Sequence, residues 1–148
     1  MGLTTQLAPA ATFELPEELD PGSEELAGTT FRNPNGTYFH YLNRAMRQFA
    51  SSIIAAELAN GSNVNSRLVL TKIPAGGGAG IDEAAIKIQI MTTYSFLTGI
   101  SLAADSADMT NLLAIFQAGG GAASDALSRD AWRAVLIAIL LSPDFVTY

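Results

Sequence analysis

His40 is the single histidine of the chain, so a Ser-His-Asp relay or a histidine-bound metal would have to run through it. Its neighbours Arg44 and Arg47 are cationic and no acid lies near it in sequence to orient the ring, which reads as a surface histidine rather than a catalytic one. Asp105 and Asp108 have the spacing to share a helix face and hold a cation, but helix capping accounts for them without one. The pairs Glu17-Glu18 and Glu24-Glu25 have the chemistry of paired-carboxylate catalysis, yet they lie in a stretch with no rigid element to fix their separation.

The run Gly76-Gly77-Gly78-Ala79-Gly80 stands where phosphate-cradling glycines stand, ahead of a helix. No Lys-Ser or Lys-Thr follows it, the GxGxxG spacing is unfilled, and Asp82 and Glu83 would repel phosphate at the helix start. The expectation is a flexible loop. Asn35-Gly36-Thr37 and Asn60-Gly61-Ser62 match the glycosylation sequon, which short sequences meet by chance. With no cysteine there is neither a disulfide framework nor thiolate chemistry. No catalytic, cofactor-binding or metal-ligating residue is assigned, and the chain is read as a non-enzyme.

The elements that would position these residues are helical. Over residues 37–60, Phe39, Leu42, Met46, Phe49, Ile53 and Ala56 recur at spacings of three and four, with His40, Arg44, Arg47 and Ser51 opposite. Asn60-Gly61 suits a left-handed C-terminal cap. Residues 67–73 are β-branched enough for a short strand or extended segment before Pro74. Asp82 is placed to cap a second helix reaching Thr98, with Ile81 and Ile86 as a hydrophobic staple and Ile86, Ile90, Tyr94 and Leu97 on one face. The alternation across residues 86–90 also fits a strand. Asp105 or Ser106 can cap a third helix carrying Met109, Leu112, Leu113 and Phe116, which stops at Gly119-Gly120-Gly121. Ser128 can cap the last, with the stripe Trp132, Val135, Leu136 and Ile139, ending before Pro143. That helix is apolar nearly all round, so it belongs at the centre of the bundle or at a subunit contact.

The fold class expected is mainly α: an irregular bundle of about four helices over residues 37–148, preceded by a long extended acidic arm over residues 1–36. The arm is punctuated by Pro9, Pro16, Pro21 and Pro34 and carries no sustained period. Six acids and no Lys or Arg fall in residues 1–31, whereas eight acids balance eight bases beyond them, so the whole net charge of −6 sits on the arm. Phosphate binding needs a clustered cationic face, which argues against nucleic acid.

The apolar fraction is 49% against only 15% charged, where soluble domains average about 25% charged, so apolar patches should remain exposed for protein partners. The longest apolar run, residues 134–141, falls far short of the roughly 20 residues a bilayer needs, so no membrane span is expected. The first residues show no basic n-region and no apolar h-region, so no export signal is expected there.

Three segments, Phe96-Leu97-Thr98-Gly99-Ile100-Ser101-Leu102, Ala131-Trp132-Arg133-Ala134-Val135-Leu136 and Leu141-Ser142-Pro143-Asp144-Phe145, resemble the ends of helical modules in large secreted proteins of planctomycetes and myxobacteria. The resemblance covers the last third of the chain and implies a helical fold without an assigned chemistry.

These readings converge on a structural or scaffold subunit of a filament, shell, virion or large complex, binding copies of itself or neighbouring proteins. Its expected interface residues are Leu3, Leu7, Phe13 and Leu15 as apolar anchors of the arm, Arg32, Arg44 and Arg47 as receivers of its acids, and Phe145 and Tyr148 near the other end. The alternatives are an accessory subunit beside a catalytic or redox partner, and an enzyme acting through His40.

Overall fold

Three short polar side chains start three of the helices. In the computed structural model, which describes residues 36–59 and 63–146, Asp82 Oδ1 accepts the Ala85 N–H at 2.7 Å and opens α2, Glu83–Thr98. Ser106 Oγ does the same for Met109 at 3.1 Å and opens α3, Ala107–Ala118. Ser124 Oγ accepts from Leu127 at 3.2 Å and opens α4, Asp125–Leu140. Each satisfies a donor that the first helical turn leaves without an intrahelical partner. Before them runs α1, Gly36–Glu57, and after them a single turn, α5, Pro143–Val146.

About 70% of the described residues are helical and none is in a strand, so the protein is mainly α. The arm expected over residues 1–36 lies almost wholly outside the described residues, as do the Asn60-Gly61 pair and the asparagines of both sequons.

The core belongs to the unit Tyr38–Tyr148 and is centred on α4. Trp132, Val135, Leu136, Ile139 and Leu140 are fully buried there, and the Trp132 ring meets Phe116 of α3 with centroids 4.7 Å apart. From α2 come Ile86, Ile90 and Tyr94, from α3 Met109 and Leu112, and from the second half of α1 Ala50, Ile53 and Ile54. The central position expected for the last helix is therefore observed. Its start differs: Ser124 is the cap, and Ser128 lies one turn inside, fully buried, its hydroxyl donating to the Gly77 carbonyl.

The face of α1 is also turned relative to its expectation. Phe39 and Phe49 are exposed, and Ala56 with them, while Ala50 and Ile54 are buried beside Ile53. A spacing of three and four admits both registers, and the observed one buries Ala50 and Ile54 with Ile53.

Residues 67–73 form no strand, because their backbone groups bond to side chains instead of a ladder. The Glu57 carboxylate accepts the N–H groups of Leu68 at 2.9 Å, Val69 at 3.1 Å and Leu70 at 2.7 Å. Gln89, buried on α2, accepts the Lys72 N–H at 2.7 Å and donates to the Val69 carbonyl at 2.9 Å, where Thr93 also donates. The Arg67 guanidinium, itself buried, donates to the Ile73 carbonyl. Thus held, Val69, Leu70 and Ile73 reach the core without a sheet.

The glycine run is pinned rather than flexible. Gly76 and Gly77 have φ of 92° and 128°, a region that L side chains rarely adopt. A Cβ on Gly76 would lie 2.6 Å from Asp125 Oδ2, and one on Gly77 would lie 2.7 Å from the Asp125 carbonyl oxygen. Asp125 Oδ1 accepts the Ala79 N–H at 3.0 Å, and Gly80 donates to Ala122 of the other glycine-rich turn at 2.8 Å. The anion cradled by this loop is the protein's own aspartate.

Candidate functional site

Between Phe39 and Phe49, α1 carries exposed aromatic and cationic side chains, Phe49 on the side of the helix opposite Arg44 and Arg47. Phe39 is 56% and Phe49 50% exposed, Arg44, Arg47 and His40 are exposed on the same helix, and no acid precedes Glu57. Arg47 Nε donates to Asn43 Oδ1 at 2.6 Å, which holds its guanidinium along the helix. His40 lies edge-on to Tyr41 with ring centroids 5.9 Å apart, and the Tyr38 and Phe39 rings meet edge-on at 5.8 Å. Exposed aromatic rings and arginines are both residue types that protein contacts favour.

Of the expected interface residues, Arg44 and Arg47 are exposed on this helix. Phe145 is instead partly buried and packed on the core, because α5 folds back after Pro143. Leu3, Leu7, Phe13, Leu15, Arg32 and Tyr148 lie outside the described residues.

A second feature was not expected: a cleft of about 200 Å³ where α2, α3, α4 and α5 meet. Its apolar lining includes Leu112, Ile115, Ile139 and Pro143, and its polar lining includes Tyr94, Asp108, Asn111, Ser142 and Asp144. Tyr94 is buried and donates its hydroxyl to Asp144 Oδ2. Burial pushes the phenol up to about 12, with further contributions from the Asp144 hydrogen bond and from the charges of Asp144 and Asp108. The phenol is therefore a fixed neutral donor over the whole physiological range. Among the described residues no group of three or more His, Asp or Glu side chains is placed to hold a metal ion.

The pattern placed Tyr94 on a buried face, and a tyrosine buried among aliphatics needs a polar partner. Nothing local in sequence identified Asp144, fifty residues on, as that partner. No helix among the described residues is long and apolar enough to cross a membrane. In comparisons with known proteins, no family model, curated protein or solved structure matches this chain.

Proposed function

We propose that the chain is a non-catalytic structural subunit of a larger protein assembly, and that α1 between Phe39 and Phe49 receives residues 1–31 of a neighbouring copy. The observation that carries this reading is charge and surface together. The helix presents exposed Phe39, Phe49, Arg44 and Arg47 with no acid before Glu57, while residues 1–31 hold six acids and no base.

Leu3, Leu7, Phe13 and Leu15 are the apolar anchors of the docking segment. Burying each is worth about 1.5–3 kcal/mol, which offsets the ordering of only part of the segment at about 1–2 kcal/mol per residue. Backbone contacts must carry much of the rest, and charge adds individually weak pairs that salt screens. His40, exposed and edge-on to an aromatic ring, belongs to this surface rather than to a catalytic relay.

The test is the double variant Arg44→Glu, Arg47→Glu in the full chain. Light scattering should show its mass fall toward 15.5 kDa while circular dichroism keeps the helix content. Assembly equal to that of the unaltered chain overturns the reading, and a fixed co-purifying chain of different sequence replaces it with an accessory role.

A further inference from the structure

The cleft between α2, α3, α4 and α5 joins an apolar floor to an acidic rim. Leu112 and Ile139 in its wall are buried core residues, so the floor is apolar. At the rim stand Asp108, in the first turn of α3, and Asp144, in the first turn of α5. Among the described residues that line the cleft there is no lysine or arginine.

The dipole of α3 accounts for Asp108. It does not account for a second carboxylate, Asp144, lining the same apolar cleft, with a buried phenol within electrostatic reach of both. Among the described residues Tyr94 engages only the Oδ2 oxygen of Asp144, which leaves Oδ1 as an acceptor. Asn111 and Ser142 add further acceptors at the same mouth.

We infer that this cleft binds an alkylammonium group, its aliphatic chain on the Leu112–Ile115–Ile139 floor and its NH₃⁺ between Asp108 and Asp144. A metal ion would use neither the floor nor the shape of the cleft, and two carboxylates are few ligands for one. The volume of about 200 Å³ lies below the roughly 300–1,000 Å³ of sites for drug-sized ligands, which fits a single amine or one lysine side chain. A lysine delivers both parts together, an apolar stem and a compact charge with three donors. The inference is independent of the surface on α1.

The experiment is calorimetric titration of the full chain at neutral pH with pentylamine, with pentan-1-ol as the neutral control of the same length. Pentylamine should saturate one site, and pentan-1-ol should bind at least about tenfold more weakly, the factor expected for a charge-assisted contact. Asp108→Asn and Asp144→Asn should each raise the pentylamine Kd about tenfold, with circular dichroism confirming the fold. Asp108 is exposed and outside the Tyr94 hydrogen bond, so its variant reads the site even where the Asp144 variant is destabilised. Nα-acetyl-lysine methylamide separates the sources: binding tighter than pentylamine identifies a lysine side chain of a protein, and weaker binding a free amine. The inference is overturned by absence of saturable pentylamine binding, by equal affinity for pentan-1-ol, or by two Asn variants that bind as the unaltered chain does.

Discussion

Glu57 Oε2 accepts the backbone N–H of Leu70 at 2.7 Å, so the last residue of α1 fixes a segment 13 positions further along the chain. With Leu68 and Val69 also donating to this carboxylate, one side chain replaces the sheet partner that residues 67–73 lack. Glu57→Ala should lower stability by about 1.5–3 kcal/mol, because it leaves a set of backbone donors without their charged acceptor. Glu57→Gln keeps one acceptor oxygen and should recover part of the loss. Urea unfolding of the two variants checks this, and an alanine variant as stable as the unaltered chain would contradict it.

The glycine loop gives a paired prediction. Alanine at Gly77 must adopt a φ of 128° and place its Cβ 2.7 Å from the Asp125 carbonyl oxygen, so Gly77→Ala should cost about 2–5 kcal/mol. At Gly80 φ is also positive, 73°, but nothing lies within 4 Å of the added Cβ, so Gly80→Ala should cost only about 1–2 kcal/mol. Thermal or urea unfolding separates packing from backbone conformation. Equal losses would mean that contact with the start of α4 contributes nothing.

Tyr94 sets a pH dependence whose sign follows from its raised pKa. The phenol ionises near 10 in the unfolded chain and about 12 in the folded one, so between those values the folded state holds the extra proton. The contribution is fully present below pH 10 and is lost as pH rises toward 12, about 2–3 kcal/mol in all. Tyr94→Phe should therefore show a shallower fall in stability over that window than the unaltered chain. Parallel curves would contradict the buried, hydrogen-bonded phenol.

Local chemistry made much of this fold legible in the sequence. The caps at Asp82 and Ser106 act within three residues of themselves, and the stripe Trp132, Val135, Leu136 and Ile139 needs only the helical period. What the sequence hid depends on partners far along the chain. Ser124 and Ser128 are equivalent as local caps, and the choice is made by the Gly77 carbonyl, 51 residues before Ser128. Phe49 and Ala50 belong to alternative registers of the same three-and-four spacing, each including Met46 and Ile53, and tertiary packing selects the one that buries Ala50. Residues 67–73 read as a short strand or an extended segment, and the strand alternative stays open because nothing near them reveals that Glu57 and Gln89 serve their backbone. The cleft was hidden for the same reason, since α2, α3 and α5 each supply one member of the Tyr94, Asp108 and Asp144 group.

The central claim, assembly through α1 and the acidic segment of a second copy, is tested most directly by the mass of the purified full chain in solution. Multi-angle light scattering across a range of concentrations at low salt should give a mass above 15.5 kDa that rises with concentration, and about 1 M salt, where charges are screened beyond roughly 3 Å, should lower it. A mass that stays at 15.5 kDa at every concentration and salt, with no other chain bound, would contradict the account.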